Sequence, residues 1–309
     1  MHDIKYIREN PELFDANLNK RGVDASSKEI LLIDNERRKL QTLIQEKQKS
    51  RNEISKKIPE IKSKGQDASS LFDQVSLIKK EISEFEKNET QLSEKLNSYL
   101  LELPNLIDND LPIGTEEQNK LIKTWGTIKK YDFTPKDHVA LGENFSEIDF
   151  PSAAKLSGSR FVVLYGKIAK LERALKSFMI DRLTNSYGYT EVMPPVLVNE
   201  KTMTGTGQLP KFSEDLFKTI DNRWLIPTAE VPLTNLVSDM ITPKKNLPMR
   251  FTAYTQCFRA EAGAAGRDTR GMIRNHQFSK VEMVSICDED SSVDELSLIH
   301  ISEPTRLGA

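Results

Sequence analysis

From Lys28 to Tyr99 the chain turns to Lys, Glu, Gln, Ile, Leu and Ser, and only Pro59 and Gly65 interrupt it. Apolar residues recur there every three or four positions, the rhythm of one helix face, so the stretch can fold into little besides long helices. In the first arm Ile30, Ile33, Leu40, Ile44, Ile54, Ile58 and Ile61 share a register whose remaining positions are Arg37, Lys47 and Arg51. In the second, Leu71, Val75, Ile78, Ile82, Phe85, Leu92, Leu96 and Tyr99 keep the spacing, with Glu89 as the polar intruder. Ser63 to Asp67 separates the stripes, which predicts an antiparallel coiled-coil hairpin over about 28–99. At about 1.5 Å per residue each arm reaches roughly 54 Å. Pro59 predicts a kink near the tip.

Charge divides along this hairpin. Residues 28–64 carry eleven Lys or Arg against six Asp or Glu, and residues 65–99 carry four against seven. One edge of the arm can therefore meet phosphates although the 309-residue chain has a net charge of -2. A global cationic field toward nucleic acid or membrane is excluded, so any RNA contact must be local. The two cysteines, Cys257 and Cys287, form no Cys-x-x-Cys clip, which argues for a reducing compartment and against a zinc site; no metal ligands are assigned. The N-terminus has no apolar targeting region and no stretch is long and apolar enough for a membrane span, so the expected location is cytoplasmic. The length predicts two domains. Residues 1–103 form the first, 104–125 with Pro104, Pro112 and Gly114 read as a linker, and 126–295 form the second.

Within the second domain Phe258 to Glu282 carries the densest chemistry. Arg259, Arg267, Arg270 and Arg274 supply forked donors for phosphate oxygens, and Gly263, Gly266 and Gly271 free the backbone between them. Extended segments on either side predict a strand, loop, strand hairpin. Alternation places Phe278, Lys280 and Glu282 on one face of the second strand, so an aromatic plane, cations and carboxylates can converge. A solvated basic hairpin has the same residue types. Upstream, Thr228 and Glu230 would face the same side of an extended chain, although Thr-x-Glu is also a common helix cap. Residues 203–209 read as a mobile glycine loop, and they lack the spacing of a P-loop. A strand at 161–165, an amphipathic helix at about 169–185 and a strand at 189–193 ending in Pro194-Pro195 complete the domain.

The run Phe258-Arg259-Ala260-Glu261-Ala262-Gly263, then Gly266-Arg267-Asp268, Arg270-Gly271, and Arg274-Asn275-His276-Gln277-Phe278-Ser279-Lys280-Val281-Glu282, resembles motif 2 of class II aminoacyl-tRNA synthetases, and most narrowly the seryl-tRNA synthetase family. Asp3 to Lys5, Ile7 to Pro11 and Lys20 to Gly22 match the start of that family, and 189–195 resembles motif 1. The resemblance implies an α+β chain, in which the coiled-coil arm precedes an antiparallel sheet flanked by helices. It implies ATP with Mg2+ and L-serine as ligands, and tRNA(Ser), with tRNA(Sec), as partners. It also implies a homodimer formed through motif 1 and an arm that grips tRNA by backbone and shape. By position it assigns Thr228, Ala229 and Glu230 to the serine ammonium and Glu282 to its hydroxyl. It assigns Arg259 to the α-phosphate as the catalytic group, Ala260, Glu261 and Arg274 to ATP, and Phe278 to adenine.

The departures lie at the C-terminus. Neither the serine-rich segment nor the motif 3 arginine of that family follows Glu282, and back-translation of Leu296 to Arg306 resembles a transposase-type sequencing-library adapter. The expectation is a ligase represented by a catalytic core with motifs 1 and 2 only and a non-native tail over 296–309, inactive as it stands, with strand edges left open. A non-catalytic tRNA-binding paralogue would show decayed pocket residues, and a ligase loading a carrier protein would lack the arm.

Overall fold

The computed structural model describes residues 2–124, 126–264 and 271–302. Two compact units divide the chain, Met1–Gly126 and Thr127–Ala309.

In the first unit α1 (Ile4–Glu9) and α2 (Pro11–Lys20) precede α3 (Ser27–Ser63) and α4 (Ser69–Glu102). Asp3 caps α1 by accepting from the Lys5 amide at 2.8 Å, and Pro11 opens α2, where a missing N–H costs nothing. Asp15 reaches the start of α3, accepting from the Ser26 and Ser27 amides at 3.1 and 2.9 Å. The core lies at the base of the hairpin, where Ile7, Phe14 and Leu18 of the short helices meet Ile30, Ile33, Leu96 and Leu100. Asp34 is fully buried there, between Arg8 Nε at 2.9 Å and Arg37 Nη2 at 3.1 Å.

The helices pack antiparallel, and every seam position expected from the sequence is buried or half-buried. Three of the polar seam positions, Arg37, Lys47 and Glu89, pair across the interface, whereas Arg51 turns to Asn52 on its own helix. Glu89 accepts from Gln41 Nε2 at 2.8 Å and lies 3.8 Å from Arg37 Nη1, and Lys47 reaches Glu81 at 2.6 Å. Such pairs fix the register of an otherwise repetitive seam. Pro59 lies inside α3, which runs on to Ser63. Eight cations, Lys28, Arg38, Lys39, Lys49, Lys56, Lys57, Lys62 and Lys64, stay exposed along it.

The second unit runs α5 (His138–Phe145), β1 (Ile148–Asp149), α6 (Phe150–Ser157), β2 (Val163–Leu164), α7 (Gly166–Tyr187), β3 (Thr190–Glu191), β4 (Leu197–Val198), α8 (Glu200–Gly205), β5 (Trp224–Leu225), α9 (Glu230–Asn235), β6 (Met249–Phe258), β7 (Gln277–Ile286) and α10 (Ser292–Ser302). Its main sheet has the order β3-β6-β7. β6 and β7 are antiparallel in ten consecutive pairs, from Met249↔Ile286 to Phe258↔Gln277. The strand before Pro194-Pro195 is short and joins this sheet in parallel, Thr190 opposite Phe251. β4 and β5 pair separately. The strand expected at 161–165 shrinks to Val163–Leu164, because the Arg160 carbonyl is turned to the His276 amide at 2.9 Å instead of joining a ladder.

Residues 203–209 are not the mobile loop expected. Met203 is fully buried and belongs to α8, and Asn235 holds the Thr202 and Val231 carbonyls at 2.9 and 2.8 Å, tying this segment to α9. α10 is fixed by Glu295, whose carboxylate takes both Arg250 Nε at 2.9 Å and Arg250 Nη2 at 2.6 Å. Of the tail expected to be foreign, 296–302 continue this helix and 303–309 lie outside the described residues.

Candidate functional site

The β6–β7 hairpin builds one floor from alternate residues. Opposed pairs share a face, so Ala253, Thr255 and Cys257 of β6 lie with Glu282, Lys280 and Phe278 of β7. The β6 residues are small and buried, which leaves the volume above them to the long β7 side chains. Burial pushes the Cys257 thiol up, so it stays protonated and inert.

Over this floor the 227–230 segment forms a wall. β5 ends at Leu225, the chain bends, and Glu230 opens α9. Thr228 and Glu230 are therefore not on an extended strand, and Ala229 rather than Thr228 holds the cap position of α9, with Thr228 Oγ1 accepting from the Glu230 amide at 3.3 Å just before it. Both groups still converge, because the bend turns them toward β7. Thr228 Oγ1 lies 2.7 and 2.6 Å from the two Glu282 oxygens, and Lys280 Nζ donates to Thr228 Oγ1 at 2.7 Å and contacts Glu282 Oε1 at 2.9 Å. The Glu230 amide also donates to Glu282 Oε2 at 3.2 Å. Although Glu230 opens to the cleft, desolvation and the neighbouring Glu282 raise its pKa, while Lys280 draws it back.

The other end is basic. Arg259 just follows β6, with its amide donating to the His276 carbonyl at 2.9 Å, its Nε 3.4 Å from the Pro227 carbonyl, and its guanidinium 5.1 Å from the centre of the Phe278 ring. The Ala260 amide donates to the Asp215 carbonyl at 2.8 Å. Glu261 takes a left-handed backbone, φ 52°, uncommon for a side-chain-bearing residue, and accepts from Arg274 Nη1 at 3.2 Å. Arg267, Arg270 and Gly266 lie outside the described residues.

Between the ends is a cleft of about 440 Å³, lined by Thr228, Glu230, Lys280 and Glu282 on one side and Arg259, Glu261 and Arg274 on the other. Two carboxylates against one ammonium leave the first end one charge negative, while at the second the guanidiniums of Arg259 and Arg274 are matched by the carboxylates of Glu261 and Asp215. The surplus carboxylate of the first end suits a ligand cation, and the forked guanidinium donors of the second suit anionic oxygens.

Three groups escaped sequence reading. Lys280 was placed on the face without a role. His276 holds Arg259 twice: its carbonyl takes the Arg259 amide, and its Nδ1, which must carry the proton, donates to the Arg259 carbonyl at 2.9 Å. Its ring is flanked by Phe161 at 5.4 Å and Phe217 at 5.9 Å. Asp215 bonds the Ala262 amide at 2.8 Å and sits in a segment with no periodic signal. At Gly271, φ 83°, a Cβ would collide with His138, whose Nε2 accepts from the Met272 amide at 2.9 Å.

Residues 1–107 match the family model of the seryl-tRNA synthetase N-terminal domain, and residues 215–300 match that of the class II tRNA synthetase core domain (G, H, P, S and T). The serine–tRNA ligase of Paramagnetospirillum magneticum is 53% identical over 293 residues, which are 94% of this chain and 69% of that protein. This chain belongs to the seryl-tRNA synthetase family. The serine–tRNA ligase of Brucella canis is 51% identical over 299 residues, 96% of this chain and 70% of its own length. The seryl-tRNA synthetase of Pyrococcus horikoshii, solved in complex with ATP, superposes with a TM-score of 0.84 at 36% identity, covering 97% of this chain and 72% of that one. The fold is that of a class II synthetase, a helical arm followed by part of the catalytic sheet, and the family is one of aminoacyl-tRNA ligases.

Proposed function

We propose that the cleft activates L-serine with ATP and that the chain serves the loading of tRNA(Ser). The placing of paired carboxylates at one end of the cleft and guanidinium donors at the other carries this reading, since the ammonium of an amino acid suits the first and phosphate oxygens suit the second. Thr228, Ala229 and Glu230 receive the serine ammonium, and Glu282 accepts its hydroxyl. Arg259 meets the α-phosphate, Ala260, Glu261 and Arg274 border the rest of ATP, and Phe278 stacks on adenine. A serine carboxylate oxygen attacks the α-phosphorus, a new oxygen–phosphorus bond forms and pyrophosphate departs with its bridging oxygen. The terminal hydroxyl of the tRNA then takes the acyl group and AMP leaves. No protein nucleophile is required, so the rate rests on orientation and on charge stabilisation at phosphorus.

Among the described residues no cluster of three His, Cys, Asp or Glu could hold a metal, so no step is routed through one, and magnesium would enter with the ATP phosphates. The exposed cations of α3 suit the tRNA backbone, and recognition by backbone and shape extends to tRNA(Sec). Leu171, Leu175 and Phe178 form an exposed apolar stripe on α7, and this face would join two copies as a homodimer. No helix among the described residues is long and apolar enough to cross a membrane, which fits the proposed cytoplasmic location.

Calorimetry of the chain with ATP present tests the reading. Serine is expected to bind at least about tenfold more tightly than alanine, because alanine leaves Glu282 without its ligand hydroxyl. Equal affinities would refute it. Pyrophosphate exchange by these 309 residues is expected to be far slower than by a chain spanning the full length of its relatives.

A further inference from the structure

The proposed chemistry gives Lys280 no task, yet its ammonium sits at the centre of the acidic end. The groups facing it are Glu282 beside it on β7, Glu230 and Thr228 from the wall, and Cys257 from β6. Thr228 has one proton and two lone pairs. Lys280 Nζ and the Glu230 amide occupy the lone pairs, so the proton is directed at Glu282. Glu282 in turn meets only donors: the Thr228 hydroxyl, the Lys280 ammonium and the Glu230 amide. Every one of these contacts uses the carboxylate as an acceptor, and without the cation two glutamates would face each other across the Thr228 hydroxyl.

We propose that Lys280 is a positioning residue for the amino-acid end of the cleft, holding Glu282 as a carboxylate and fixing the direction of the Thr228 hydroxyl. Glu282 is then left able to accept only from a ligand that donates, which selects a hydroxyl-bearing amino acid; this second clause rests on the serine reading. Lys280 acts through Glu282 and Thr228 and touches no reacting atom.

Carboxyl-carbon NMR of the glutamate-labelled chain tests it, with Glu230→Gln and Glu282→Gln assigning the two signals. Lys280→Met keeps most of the stem and removes the charge, and Lys280→Arg keeps the charge. The Met variant is expected to raise the titration midpoint of the coupled pair by about one pH unit, with the Arg variant close to wild type. Serine affinity of the Met variant should fall about tenfold at pH 6, the deficit closing as pH rises through the new midpoint. An unmoved midpoint in Lys280→Met, or an equal shift in Lys280→Arg, would overturn the proposal. If the midpoint moves but the wild-type chain binds no serine, the role of Lys280 stands and the serine reading falls.

Discussion

At Thr228 a single hydroxyl arbitrates among Lys280, Glu282 and the first amide of α9. The raised pKa of Glu230 has a definite sign. Between its ordinary value and the raised one the folded chain holds a proton that the unfolded chain has lost, so the Glu230 contribution to stability falls as pH rises through that window. Affinity for an ammonium ligand moves the opposite way, increasing as the carboxylate forms. Glu230→Gln should abolish both dependences, read from thermal melts and serine titrations between pH 4 and 7. At the basic end His276→Ala should weaken ATP binding about tenfold and leave serine binding nearly unchanged, because it frees the Arg259 carbonyl without touching the acidic wall. A comparable loss of both ligands in calorimetry would instead indicate a general loss of packing. The types and alternation of Phe278, Lys280 and Glu282 were legible in the sequence. The partner of each was not, because a hydrogen bond from β7 to the 227–230 wall joins positions some fifty residues apart, as with Lys280 and Thr228.

Elements differ in how openly the sequence announces them. The α3–α4 hairpin was readable almost residue by residue, since a long stripe leaves few alternative packings, and Glu89 proved to be an intruder with partners, Gln41 and Arg37. Leu96→Ala should cost the first unit about 2–4 kcal/mol in denaturant unfolding, and the half-exposed pair Lys47–Glu81 should contribute no more than about 1 kcal/mol in a double-mutant cycle. The sequence leaves the conformation at 228–230 open between an extended chain and a helix cap, because six residues around Pro227 carry no period and its helix has only six residues itself. The parallel docking of β3 on β6 was equally hidden: strand partners are set by the tertiary fold, and no local pattern in 190–191 encodes them.

For the whole molecule, two faces govern association. The α7 stripe, with Phe178 59% exposed, should hold two copies together, and sedimentation equilibrium of Phe178→Glu is expected to show a monomer where the wild type shows a dimer. Among the described residues β7 bonds a strand on one side only, and a ten-residue open edge is a template for further pairing, so light scattering should grow with concentration even in that variant. The base of the helical hairpin has a different consequence. Its fully buried residues gather where α1 and α2 meet Ile30, Ile33, Leu96 and Leu100, while most of the distal seam is only half-buried. A 37-residue helix is about 55 Å long, which sets the distance from that hub to the tip. Anchoring and reach are thus divided along one hairpin, with the buried base fixing it and the half-buried distal seam carrying Lys56, Lys57, Lys62 and Lys64 outward.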